Sequence, residues 1–368
     1  MFRLPPIRFA RFPASQFACK FWLVGLVLLA GCASRGELAF LDDAEIASPS
    51  IASHRIFVAT SRSPANDVTG FSAGRSQNLS FARYSVSVPP GHKSGKIEWP
   101  AHHADQKKHF VTTGVETFKG PSEFVANINK EVANTPISQR DAIVYVHGYN
   151  TNFAEGLYRL VQMTNDLKKP AVTIHYSWPS AGKALGYLYD RDSVLTARDG
   201  LEKLLINVAN SSVEQVILVA HSMGGQLAVE TLRQISIRNN NSLKSKLAGV
   251  FLIAPDIDEQ VFLAQIKSIR PLPQPFFVFV SDNDKALKLS SFIAGGGKRV
   301  GSVTQSAAME DQGITLVDTS KFNDGDPLNH LTSATSPTLI SLVKKLSKRA
   351  LLIGSLTKTE FSFLNESP

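Results

Sequence analysis

Only two cysteines occur in 368 residues, which excludes a scaffold built on several disulfides. Both, Cys19 and Cys32, lie close to the start of the chain. Long apolar runs are also missing. The uncharged stretch from Phe21 to Ser34 falls short of the roughly 20 residues that a spanning helix needs. There is no internal repeat, no low-complexity tract, and no basic stripe interleaved with aromatics, so the formal charge of +8 does not read as a nucleic-acid footprint. Charged residues make up 19% and hydrophobic residues 43%, a balance too apolar for a disordered chain and suited to one large folded domain with additions.

The first 31 residues carry Arg3, Arg8, Arg11 and Lys20 and no acidic side chain, and the apolar run Phe21–Ala30 follows directly. A basic end followed by a short hydrophobic stretch is the layout of a secretory signal. The stretch ends in Leu29-Ala30-Gly31-Cys32, which resembles the lipobox of bacterial lipoproteins. That resemblance implies cleavage before Cys32, acylation of its sulfur and attachment to a membrane. Ala33 in place of aspartate implies the outer membrane, facing the periplasm. Loss of the leader would halve the formal +8 charge.

Residues 32–53 are small, polar and acidic and read as a tether. Residues 54–120 hold short β-rich runs, Arg55–Thr60, Leu79–Val88 and His109–Phe118, with Pro89-Pro90-Gly91 breaking the second. His92, His102, His103 and His109 lie among them without the spacing of a metal site and read as surface histidines. From Pro121 to about residue 350, strands alternate with helical patterns. The strands are Ala142–Val146, Ala171–Tyr176, Gln215–Val219, Leu247–Ile253, Phe276–Val280 and Ile314–Val317. Helices are expected over Phe153–Leu167 and Ser193–Val208, and from about Met223, Asp258, Lys285 and Pro337. Nearly unbroken apolar strands between amphipathic helices predict an α/β fold, a mostly parallel sheet covered on both faces. The basic stretch Leu342–Leu352 reads as a closing helix, leaving 351–368 as a tail. Gly295-Gly296-Gly297-Lys298-Arg299 lacks the Ser or Thr of a phosphate loop.

Chemistry is concentrated where the strand Val216–Val219 runs into Ala220-His221-Ser222-Met223-Gly224-Gly225 and then a helix. This strand–turn–helix context is that of a nucleophile elbow, with Ser222 as nucleophile and Met223 N–H as an oxyanion donor. A second strand ends in His147-Gly148-Tyr149-Asn150-Thr151, where Tyr149 N–H, or alternatively Asn150, would complete the oxyanion hole. His147 itself reads as ordering that loop. Where a serine stands on such an elbow, the general base follows it in the chain, and His330 is the only histidine after His221. Three aspartates could orient it: Asp284 is preferred, with Asp282 and Asp256 as alternatives, since Asp256 with Glu259 resembles a capping box and Asp282 could cap the helix near Lys285. Trp178 and Tyr187 could wall a substrate pocket or pack in the core.

At these residues the chain resembles the α/β-hydrolases, and among them the bacterial group called domain of unknown function 900. The resemblance spans roughly residues 54–340. It rests on His147–Thr151, Trp178–Gly182, Tyr187, Asp190, Ala220–Gly224, Ala254–Asp258 and Ser281–Leu287. One departure is Leu331-Thr332 after His330, where an aromatic is expected. The resemblance implies serine-hydrolase chemistry on a small-molecule or lipid ester, with no metal or organic cofactor. Acyl transfer, amide cleavage and a non-catalytic envelope lipoprotein on the same fold remain open at this point.

Overall fold

The computed structural model describes residues 35–41, 48, 50–65, 70–167 and 172–341. The leader, Cys32 and the tail therefore lie outside the described residues. Strands β1 (Ser53–Pro64), β2 (Phe71–Ser87), β3 (Val111–Phe118), β4 (Asp141–Val146), β5 (Val172–Ser177), β6 (Gln215–His221), β7 (Leu247–Ile253), β8 (Phe276–Val280) and β9 (Ile314–Asp318) form one sheet in the order β3-β2-β1-β5-β4-β6-β7-β8-β9. Pairing is parallel from β1 through β9. It is antiparallel only where β2 joins β1 and β3 joins β2. The β-rich segment is thus an extension of the same sheet.

Strand side chains alternate between two cores, as a period of two requires. In β4, Ala142, Val144 and Val146 face one core while Tyr145 faces the other; in β6, Val216, Leu218 and Ala220 oppose Val219. Helices α1 (Pro121–Val132), α3 (Tyr187–Ala209), α4 (Met223–Ile237) and α5 (Glu259–Lys267) cover the first face. Helices α2 (Phe153–Leu167) and α6 (Lys285–Ile293) cover the second. Each Val or Leu so enclosed contributes about 1.5–3 kcal/mol.

Among the elements that differ from the sequence reading are two helices on the first face. Helix α1 was not expected, although Pro121 at its first turn and Glu123 behind it suit a helix start. Helix α3 begins at Tyr187 rather than Ser193, because its first inward positions, Tyr187, Asp190 and Ser193, are buried and polar and conceal the apolar period. The expected tether is also partly packed: Ala39 O accepts Thr112 N–H at 2.7 Å, and Asn152 Nδ2 donates to Gly36 O at 2.8 Å. Among the described residues no helix is long and apolar enough to cross a membrane.

The strand order reverses beside β4, with β5 on one side and β6 on the other. Ligands of open α/β sheets bind at the carboxyl ends of the strands at such a switch point. The loops after β4 and β6 carry His147–Thr151 and Ser222.

Candidate active site

Ser222 sits between β6 and α4 at φ 53°, ψ −125°. A non-glycine residue in that region costs on the order of 1–3 kcal/mol, and the surroundings enforce it. Ser222 N–H donates to Ile253 O of β7 at 2.9 Å, and Ser222 O accepts Gly225 N–H at 2.9 Å. A Cβ on Gly224 would lie 2.2 Å from His147 O, and one on Gly148 would meet the Ser222 Cβ at 2.9 Å. Both glycines are therefore required by contact between the β4 and β6 turns. Met223 is the first residue of α4, so its N–H has no intrahelical acceptor.

The β4 loop is held from several directions. Asp190 is wholly buried and accepts from Ser180 Oγ at 2.6 Å, Ala181 N at 2.6 Å and Asn150 N at 3.1 Å. Burial raises its pKa, against the pull of those donors and of Arg62. Asn150 N–H is consequently engaged, which disfavours Asn150 as the alternative oxyanion donor. Tyr149 N–H has no acceptor among the described residues. Its ring packs edge-on against Tyr187 at 5.4 Å, and its hydroxyl donates to Ala184 O.

Arg62 of β1 reaches under the same loop. Its guanidinium donates to Thr151 O at 2.8 Å, Ser180 O at 3.0 Å and Ser177 Oγ at 2.9 Å. Burial lowers its pKa to about 10 although Asp190 lies near. Nothing in the alternation of β1 announced a buried arginine. His147 is also enclosed: its Nε2 lies 3.0 Å from Trp178 O and its Nδ1 2.9 Å from Gly148 O. Burial, with Arg62 and His175 nearby, holds it well below the usual imidazole range.

Trp178 has no exposed surface, stacks on His147 at 5.0 Å and donates Nε1–H to His147 O at 2.7 Å. It buttresses the loop from beneath, which favours core packing over the pocket wall of the two readings open for it. Tyr187 is nearly buried, and its hydroxyl donates to Asp256 Oδ2 at 3.0 Å.

His330 lies in the loop after β9, and its Nδ1 is 2.7 Å from Asp284 Oδ2. Asp284 is completely enclosed. Burial pulls the His330 pKa down, but the hydrogen bond and charge of Asp284, with Asp256 and Asp326 beyond, outweigh it and leave it raised. The histidine loop folds around Asp326, which accepts His330 N–H at 3.1 Å and Leu331 N–H at 2.8 Å. The His330 ring packs 4.7 Å from that of His221, the neighbour of Ser222. His221 is driven well below the usual imidazole range, by burial and then by His330.

The other two aspartates lie elsewhere. Asp282 is exposed, and its backbone N–H donates to Ser320 Oγ at 3.0 Å. Asp256 is occupied by Tyr187, by Ser290 Oγ at 2.8 Å and by Arg299 Nε at 3.3 Å. Neither caps a helix: Asp258 caps α5 and Asp284 caps α6.

Residues 121–349 match the family described as alpha/beta hydrolase of unknown function (DUF900). The chain belongs to this family. Its nine-stranded, mostly parallel sheet has the α/β-hydrolase fold. An uncharacterized Nostoc protein, alr1448, is 24% identical over 257 residues, covering 53% of this chain and 67% of its own. Among solved structures, an esterase of Rhizomucor miehei matches 96% of this chain and 94% of its own at 11% identity and TM-score 0.37. Inhibited esterase B from Lactobacillus rhamnosis matches 93% and 99% at 10% identity and TM-score 0.38. Likenesses this slight carry no further argument.

Two features of this α/β-hydrolase escaped the sequence reading besides Arg62. One is Asp326, although Asp-Pro ahead of a histidine is a turn signal. His92 is no surface histidine. Its ring is enclosed between Glu98 at 2.8 Å and Asp166 at 3.0 Å. Among the described residues, no group of three or more His, Cys, Asp or Glu side chains could hold a metal ion.

Proposed function

We propose that this chain is a serine hydrolase of carboxylic esters, with Ser222 as nucleophile, His330 as general base and Asp284 as the acid that orients it. The observation that carries this reading is the 2.7 Å contact of His330 Nδ1 with the buried Asp284, with the His330 ring packed on His221, the neighbour of a serine held at positive φ on a strand–helix turn.

In the proposed reaction the Ser222 oxygen attacks the ester carbonyl while its proton passes to His330 Nε2. Asp284 keeps the other ring proton on Nδ1 and stabilises the imidazolium that forms. The N–H groups of Met223 and Tyr149 stabilise the oxyanion of the tetrahedral intermediate. That intermediate collapses as the C–O bond breaks and the imidazolium gives its proton to the leaving alcohol. Water, deprotonated by His330, then cleaves the acyl-serine ester, and the proton returns to Ser222.

Chain order Ser222–Asp284–His330 supports this assignment, because α/β-hydrolases run serine, acid, histidine. Reaction of the purified protein with a fluorophosphonate probe, abolished by Ser222→Ala, is the expected result. Labelling that survives the substitution, or none on folded protein, would exclude the mechanism.

The cellular address proposed is the bacterial envelope, through lipid on Cys32 at the outer membrane. Its support is the Leu29–Cys32 motif in the sequence. Incorporation of labelled palmitate that is lost in Cys32→Ser tests it.

A further inference from the structure

Five large apolar side chains are exposed on two elements near the candidate site. Leu185 and Leu188, 83% and 70% exposed, flank Tyr187 at the start of α3. Leu289, Phe292 and Ile293 stand on the open face of α6, with Phe292 80% exposed. The two groups are tied to one point, because Tyr187 and Ser290 donate to the two oxygens of the same carboxylate, Asp256. Asp256 lies just beyond Ile253, whose carbonyl holds the Ser222 N–H. Single exposed leucines are ordinary, whereas a contiguous apolar patch at the mouth of a site marks a contact surface.

The exposed charge around the patch is predominantly positive, with Asp192 and Asp282 the exposed acids at its ends. Lys183 and Arg191 are exposed on the α3 side, and Lys285, Lys288 and Lys298 on the α6 side. No Asp or Glu occurs from Lys285 to Met309. Apolar side chains set among lysines suit an interface of acyl chains below anionic headgroups.

The start of the described chain adds an independent observation. Arg35 donates to Asn150 Oδ1 at 2.9 Å and Asn150 O at 2.8 Å, on the loop beside the site. The described chain therefore begins on this same edge of the sheet.

We propose that the Leu185–Leu188 and Leu289–Ile293 surface docks on an anionic phospholipid bilayer and receives lipid esters from it. Delivery of substrate rests on the hydrolase reading above; docking does not.

The test uses the full chain with vesicles of phosphatidylcholine, with and without phosphatidylglycerol, carrying brominated acyl chains. Measured as the difference from the parent, which already holds Trp22, Trp99 and Trp178, the indole introduced by Phe292→Trp should be quenched and blue-shifted, less so without phosphatidylglycerol or at high salt. That introduced by Ile137→Trp, ahead of β4 at the opposite edge, should be unaffected, which separates the rim from any binding by the leader. Absence of quenching at position 292, or equal quenching at 137, overturns docking. So does a blue shift without vesicles that grows with protein concentration, which would assign the face to a second copy of the chain. Leu185→Ser with Phe292→Ser should lower hydrolysis of vesicle-borne ester about tenfold and leave hydrolysis of a soluble short-chain nitrophenyl ester unchanged. An equal fall on both substrates overturns delivery. If the parent hydrolyses neither, the hydrolase reading fails while the quenching result still decides docking.

Discussion

The two oxygens of Asp284 have different partners: Oδ2 lies 2.7 Å from His330 Nδ1, and Oδ1 accepts Leu287 N–H at 2.9 Å. One carboxylate thus caps α6 and meets the imidazole, so the helix start fixes the position of the candidate acid.

This double engagement separates two substitutions. Asp284→Asn keeps a capping oxygen but cannot stabilise an imidazolium, so kcat should fall about 10³–10⁴-fold with little change in melting temperature. Asp284→Ala should lose activity similarly and, in addition, about 1 kcal/mol of stability from the missing cap. Ester hydrolysis together with thermal unfolding checks both. Equal melting temperatures for the two variants would count against the cap.

His330 also predicts the pH profile. In the proposed mechanism only neutral imidazole accepts the serine proton, so activity should fall as pH drops through the His330 pKa. Because that pKa is raised, the acid limb of kcat/KM should lie above the ordinary value of about 6.5. Asp284→Asn removes the principal raising partner, so the residual activity should show an acid limb moved to lower pH. Both are read from kcat/KM across pH 5–9 with a soluble ester.

The elbow depends on contact between two turns, which Gly224→Ala tests. Its Cβ would lie 2.2 Å from His147 O, a backbone atom with no freedom to rotate away. Fluorophosphonate labelling should be lost, and the melting temperature should fall with it. Retention of both would mean that the β4 and β6 turns are less tightly opposed than described.

Much of this site was legible in sequence because it is local. Ser222 and the β4 loop sit at the ends of apolar strands, and each strand–turn unit is visible within ten or so residues. The choice among Asp256, Asp282 and Asp284 was less local. All three follow strands in polar turns, and only packing separates them: Asp256 faces Tyr187, Ser290 and Arg299, while Asp284 turns toward a loop 46 positions later. Strand order was hidden for the same reason. β1 pairs in parallel with β5 across more than a hundred residues of intervening chain, and no local pattern in Arg55–Thr60 states its neighbour. Trp178 shows the converse limit, since an aromatic at a strand end has the same sequence signature whether it lines a pocket or, as here, packs against His147 beneath the β4 loop.

Arg62 explains what the N-terminal strands contribute. Arg62→Leu would leave the carbonyls of Thr151 and Ser180 without their donor, and each buried, unsatisfied group costs about 1–3 kcal/mol. Asp190 would also lose the nearby cation that lowers its pKa. The expected outcome is a loss of several kcal/mol in chemical denaturation. Arg62→Lys restores charge but not the spread of donors, so it should recover only part of that stability. Full recovery by lysine would mean that the charge alone matters.

A second buried charge cluster makes stability depend on pH. For His92, burial lowers the pKa, but hydrogen bonds to Asp166 and Glu98 and their charges raise it further. A raised histidine contributes stability that is fully present below about pH 6.5 and is lost as pH rises through the folded value. Asp166 behaves in the opposite way. Burial raises its pKa, yet His92, Gly95 N–H and Gln162 bring it down to about 2, so its contribution disappears only in strong acid. Gln162 Nε2 also donates to Ala334 O at 3.1 Å, and Thr335 Oγ1 accepts Asp326 N–H at 3.0 Å. The cluster therefore braces the turn that follows His330. Between pH 6 and pH 9 the parent should lose melting temperature relative to His92→Gln, whose amide does not titrate. Parallel curves for the two proteins would show that His92 is neutral throughout and that the brace does not depend on its charge.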